Sequence, residues 1–237
     1  YEAAVYDLES GALQKSFPVQ ESALADCVFL DNNTIVYAAK NGIVAYALDT
    51  DRELWTGEEA TMITVSADGK TVAAVNRDAH EAVVYDVATG EQRVRCSFGE
   101  KQMSVASNDI FADPKDSIFA LNEDGSLLAV SFSDGGLLIF DLAEPEQSME
   151  VYDSSEYLHF NGGFFGDYFT FTAGKGTENV FQVIDTEKGI SLGESQSQNV
   201  FSLQVNENGI YLAEQNLLVH INGQLEQNET AYTENAN

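Results

Sequence analysis

Short apolar runs, each closed by a polar turn, follow one another along the whole chain. The stretch TVSADGKTVAAVNRDAHEAVVYDVATGEQ (64–92) shows the unit. Asp68-Gly69 marks one tight turn, and Asp86 to Gly90 marks a second. Such residues tolerate positive φ, which tight hairpin turns require. The run between them, TVAAVN, is almost continuously apolar, as expected of a strand buried on both faces. No run sustains apolar residues at i, i+3, i+4 and i+7, so helix is not expected.

The unit repeats. Turn pairs stand at Asn32-Asn33, Asp68-Gly69, Asp124-Gly125, Gly166-Asp167 and Asn208-Gly209. Each precedes an apolar strand: TIVYAA, TVAAVN, LLAVSF, YFTFTA and IYLAEQ. A third strand follows in each: GIVAYAL, EAVVYDV, GLLIFDL, NVFQVID and LLVHING. These third strands end on an anchor, at Tyr85-Asp86, Phe140-Asp141, Ile184-Asp185 and Ile221-Asn222, with Tyr46 followed by a displaced Asp49. Tyr6-Asp7 is the same anchor near the start. A fourth strand comes next, as in QRVRCSF or SMEVYD. Anchors recur about every 40 residues, with one wider gap near 55. A fixed period of this length, built of four short antiparallel strands, predicts a β-propeller.

The expected blades run roughly 22–57, 58–98, 103–153, 155–196 and 199–232. Residues 2–17 supply only the last two strands of a blade. The fold class is therefore all-β: one propeller domain or propeller segment over 1–237, with about five full blades and a half blade, read as part of a larger ring. The segment 99–117 lengthens one connection and is read as an extra strand or a surface insertion, with a partner-binding loop as the alternative.

The stretch SADGKTVAAVNRDAHEAVVYDVATGEQ resembles a blade of the WD-repeat and YVTN-type propeller family, and LNEDGSLLAVSFSDGGLLIFDLAEPEQ (121–147) is similar. The resemblance covers most of the chain, although there is no Gly-His dipeptide and no Trp-Asp pair. YALDTDRELW resembles the blade-docking pattern of quinoprotein-type propellers, but the chain has 1 Trp, so repeated Trp stacking is not expected.

Charge narrows the partners. The chain has 39 acidic and 11 basic residues and a formal net charge of -28. Phosphate binding needs clustered Lys and Arg, so nucleic acid is not an expected partner. An anionic membrane surface is disfavoured for the same reason. The charge favours a soluble monomer; a basic partner or a cation-rich habitat is the other reading. No segment reaches the roughly 18 apolar residues of a membrane span, so no insertion is expected. The start at Tyr1 is read as that of a piece of a longer protein, whose remainder is a further potential partner.

Candidate chemistry is sparse. His80, His159 and His220 show neither HxH nor HExxH spacing and are read as packing or surface residues. The acidic stretch LDTDRELWTGEE (48–59) lacks the Gly and distal Glu of a calcium loop and is read as a solvated turn. SADGKT (66–71) sets Asp and Gly side by side, unlike the Asp-box of sialidase-type propellers. The aromatic stretch YLHFNGGFFGDYFTF (157–171) is read as blade packing. Cys27 and Cys96 sit in apolar runs and are expected to be buried free thiols, in the innermost strand of one blade and the outermost of the next. No catalytic, cofactor-binding or metal-binding residue is assigned, and no cofactor is expected.

Three functions fit this reading. The first is a non-enzymatic protein-interaction or scaffold propeller with one or more protein partners. The second is an extracytoplasmic sensor or ligand-binding propeller of a larger bacterial protein. The third is a metal-dependent hydrolase or lactonase with its site in the central channel. The compartment, cytoplasmic or extracytoplasmic, is left open.

Overall fold

A computed structural model of the chain describes residues 2–18, 26–39, 42–76, 80–103, 117–153, 159–175, 178–197, 200–206, 209–214, 217–222 and 227–231. The chain is all-β; no helix occurs among the described residues. Contacts divide it into two compact units, Tyr1–Gly99 and Glu100–Asn237.

The first unit holds three sheets. Strands β1 (Glu2–Tyr6) and β2 (Leu13–Pro18) form a two-stranded antiparallel sheet. A four-stranded sheet follows, in the order β3 (Asp26–Phe29), β4 (Thr34–Ala39), β5 (Gly42–Ala47), β6 (Arg52–Thr56). The next has the same order: β7 (Met62–Val65), β8 (Thr71–Val75), β9 (Glu81–Asp86), β10 (Gln92–Ser97). All pairings are antiparallel, and β3 packs near β7, so the first strands of successive sheets approach one another.

The second unit holds three four-stranded sheets. They comprise β11 (Phe119–Leu121), β12 (Leu127–Ser131), β13 (Gly136–Asp141) and β14 (Ser148–Asp153); β15 (His159–Phe165), β16 (Tyr168–Lys175), β17 (Glu178–Asp185) and β18 (Ile190–Ser197); and β19 (Val200–Asn206), β20 (Gly209–Glu214), β21 (Leu217–Ile221) and β22 (Gln227–Ala231). First strands again adjoin, β11 with β15 and β15 with β19. In the described part of the long 99–117 connection Met103 bridges to Phe132, the Gln102 carbonyl accepts the Ser133 N–H at 2.9 Å and Lys101 pairs with Asp134 at 2.7 Å; 104–116 lie outside the described residues.

Burial follows from this stacking. Every residue of β8 is buried, as are the first five of β13. Val72 and Ala74 of β8 pack with Val36, Ala38 and Ala45 of the preceding sheet, and Leu137 and Ile139 of β13 pack with Phe169 and Phe171 of the following one; buried on both faces, these middle strands lose the alternation of a half-exposed strand. Outer strands keep one polar face, as in β10, where Cys96 is buried while Gln92, Arg93 and Ser97 are exposed. The aromatic stretch contributes Phe169 and Phe171 to a core with Ile118, Ala129, Leu137 and Ile139. Tyr157 and the side chains of His159 and Phe160 lie outside the described residues.

The turns are built from short polar side chains. After β9, Asp86 Oδ1 accepts the N–H groups of Ala88 and Thr89 at 3.0 Å each, and Gly90 closes the turn at φ 70°. Asp7 with Gly11 and Asp185 with Gly189 repeat this geometry, each glycine N–H donating back to its aspartate carbonyl at 2.9 Å. These side chains satisfy backbone donors that the ladder leaves over.

Three pairs of successive sheets, two in the first unit and one in the second, are keyed together at one ladder position. The outer-strand residue opposite the third-strand residue just before the anchor aromatic reaches the turn of the next sheet. Trp55, opposite Ala45, donates its Nε1–H to the Val87 carbonyl at 2.6 Å and stacks on Tyr85 with centroids 6.0 Å apart. Met149, opposite Ile139, lies under Gly189, where a Cβ would sit 3.3 Å from its methyl carbon. Lys15, opposite Val5, pairs with Asp51 at 3.1 Å. Docking is therefore repeated without repeated Trp: an ammonium, an indole and a thioether take the same place.

Candidate interaction surface

The described residues hold no group of three or more His, Cys, Asp or Glu side chains arranged to take a metal. His80 sits exposed in the bend between β8 and β9, and its carbonyl accepts the Phe98 N–H at 2.6 Å. His220 lies in β21 with its ring stacked on Tyr211 at 4.5 Å, a packing position. In the acidic stretch, Asp51 takes φ 57° and accepts the Tyr46 hydroxyl, so with Lys15 it braces the turn. That bond and burial push the Tyr46 phenol up to about 12, with burial the larger cause.

The SADGKT turn is likewise structural. Ser66 Oγ accepts the Thr71 N–H at 3.0 Å and donates to Asp68 Oδ1 at 2.7 Å, and Lys70 Nζ meets Asp68 Oδ2 at 2.9 Å. The lysine, then the serine hydroxyl, hold the Asp68 carboxyl down to about 2. Asn122, Asp124 and Ser126 close the corresponding turn before β12.

The thiols part company. Cys96 is buried in β10, and burial pushes its thiol up to about 12. Cys27 corrects the expectation of two buried thiols, because it is exposed. Its strand, β3, alternates between half-buried and exposed positions, and Cys27 shares the exposed face with Phe29. An apolar run alone did not distinguish the two faces of an edge strand.

Two surface depressions lie in the first unit. The smaller, about 200 Å³, is lined by Glu58, Glu59, Ala74, Asn76, Glu81, Val83 and Tyr85. Arg95 pairs with two of these residues, Glu58 and, at 2.5 Å, Glu81. Both carboxylates, Glu58 first, hold the guanidinium above its ordinary range. The Glu58 N–H donates to the Tyr85 hydroxyl at 3.1 Å, which fixes the link between β6 and β7 against the next sheet. The larger depression, about 980 Å³, opens beside β1 and is lined in part by Val5, Tyr6, Leu8, Phe29, Leu48 and Asp49. Tyr6, Leu8, Leu13 and Phe29 are exposed apolar residues of this region. Apolar surface gathered in this way on an acidic protein marks a place where another apolar surface can be buried. The sequence reading missed this groove, since each residue looks like an ordinary strand or turn position; the signal was the half blade at 2–17.

No helix among the described residues is long and apolar enough to cross a membrane. No curated protein matches the chain. A family model does match, over residues 2–192, and its description is outer membrane protein assembly factor BamB. With blade-like four-stranded sheets and a match over most of its length, the chain belongs to this family of β-propeller repeat proteins.

Proposed function

We propose that the chain is a non-enzymatic propeller module that holds protein partners, a scaffold rather than a catalyst. The observation that carries this reading is the exposed apolar groove of about 980 Å³ beside β1. Membership of a family described as an assembly factor supports it, because assembly is an activity of contacts. Within that reading, blade repeats of the WD or YVTN kind are a finer description that the SADGK and aromatic-Asp pattern supports. The wording of the family description also favours the extracytoplasmic form of the proposal, a propeller of a larger bacterial protein.

The test is cross-linking in extract of the source cells, followed by mass spectrometry of the joined peptides. Defined partner peptides linked to residues around Tyr6, Leu8 and Lys15 are the expected result. A chain that forms no protein cross-links, yet turns over a small substrate, would remove the proposal.

A further inference from the structure

We propose that the depression lined by Glu58, Glu59, Val83 and Tyr85 captures the amino terminus of a partner polypeptide, with the α-ammonium at Glu59 and the first carbonyl at the Tyr85 hydroxyl. This rests on the interaction reading above and deepens it, at a place other than the groove beside β1.

The pocket is built on one face of the sheet β7 to β10, under the link that enters that sheet from β6. Ala74, Val83 and Arg95 stand side by side on adjacent strands, as the ladder pairs Ala74 with Val83 and Val83 with Arg95. Tyr85 and Glu81 flank Val83 along β9, and Glu58 and Glu59 come from the link. The volume of about 200 Å³ equals the share of about seven waters in the liquid and falls below the range of drug-sized pockets. It admits the end of a chain, not a nucleotide or an oligosaccharide.

Two independent demands define the occupant. The first is charge. Arg95 pairs with Glu58 from the link and with Glu81 from β9, which leaves Glu59 as an exposed carboxylate without a partner among the described residues. Three carboxylates against one guanidinium favour an ammonium and oppose a carboxylate. The second is a buried donor. Tyr85 is 3 % exposed, and its oxygen accepts the Glu58 N–H at 3.1 Å. Its own O–H meets no acceptor among the described residues. In the preceding sheet the equivalent Tyr46 gives its hydroxyl to Asp51. Burial, the largest cause, pushes the Tyr85 phenol up, so the proton stays in place to be donated. A buried donor left unmet is costly, and an entering oxygen would satisfy it.

The occupant therefore carries a cation and a neutral oxygen acceptor a few bonds apart, with little bulk against Ala74 and Val83. The first residue of a polypeptide has this form, and capture of an amino terminus is a recurring mode of peptide recognition. A lysine side chain brings the cation without the oxygen. A free amino acid adds a carboxylate that the charge opposes.

The probe is tetraalanine amide, titrated into the methyl-labelled chain. It should shift the methyl resonances of Ala74 and Val83 with a Kd of about 1 mM or below. Acetylation of its amino terminus should weaken binding about tenfold or more. Tyr85→Phe should weaken it about fivefold. Glu59→Gln should weaken it about threefold, with an unchanged unfolding midpoint because this carboxylate is exposed and unpaired. Unmoved Ala74 and Val83 methyls at millimolar peptide would overturn the proposal. So would an acetylated peptide that binds as well, which removes the ammonium, or butylamine that binds as well, which removes the carbonyl. Alaninamide that matches the tetrapeptide would make a free small amine the occupant and overturn the polypeptide. Protein cross-links around Tyr6, Leu8 and Lys15 that form while the pocket takes no peptide would overturn this site and leave the scaffold reading standing.

Discussion

The indole of Trp55 occupies the space that a Cβ on Gly90 would need. Such a Cβ would lie 2.5 Å from Trp55 Cγ, and Gly90 itself sits at φ 70°. Turn and neighbour therefore demand glycine independently. Gly90→Ala should destabilise the first unit by more than the ~1–2 kcal/mol of a left-handed alanine. Trp55→Ala should cost about 3 kcal/mol. Because the chain has 1 Trp, the Gly90→Ala effect can be followed by its emission. An unchanged emission maximum and denaturation midpoint in Gly90→Ala would contradict the packing.

Thiol labelling should separate the two cysteines. Native protein at pH 8 should take up one equivalent of a maleimide, at exposed Cys27, and a second only after denaturation, when buried Cys96 is released. Rapid uptake of two equivalents by native protein would show that β10 is not packed as described.

The acid limb of stability should carry a contribution from Asp68. Its folded carboxyl is held down to about 2, below the ordinary value of 3.8, first by Lys70 and then by the Ser66 hydroxyl. A depressed carboxyl favours the fold in full above the unfolded value and loses that effect as pH falls through the folded one. Asp68→Asn should thus flatten the fall in stability between about pH 4 and pH 2. Parallel acid limbs in the variant and the parent would count against the Lys70 and Ser66 contacts.

A buried hydroxyl offers a further check in the second unit. Ser131 is fully buried, and its Oγ accepts the Ile118 N–H at 2.8 Å. Ser131→Ala leaves that donor without its acceptor and should cost about 1–3 kcal/mol in denaturant unfolding. A change too small to measure would mean that the donor finds another acceptor.

Much of this fold was legible in the chain. Asp86 through Gly90 announced their turn because aspartate, threonine and glycine each solve a local backbone problem. The continuous TVAAV run announced burial on both faces. What escaped the sequence depends on neighbours distant along the chain. Met149 and Lys15 carry no pattern that marks them as docking residues, since their partners, Gly189 and Asp51, lie about 40 residues further on. Cys27 and Cys96 both sit among apolar residues and both in edge strands, and what separates them is the face each occupies, exposed in β3 and buried in β10. The groove beside β1 was missed for a related reason: β1 and β2 line it together with Phe29, Leu48 and Asp49 of the next sheet.

The interchange of ammonium, indole and thioether at one ladder position also bears on assembly errors. Near-identical units in tandem risk docking on the wrong neighbour during folding, a recurrent failure of repeat chains. Here the junctions are chemically unlike. Lys15 finds its carboxylate at Asp51, whereas the turn that receives Trp55 offers a carbonyl and a bare glycine. A unit that slipped by one place would bring an ammonium to a site shaped for an indole, or an indole to one that offers charge. The side chains that fasten each unit thus also act as its address, rejecting the wrong sequel as well as holding the right one.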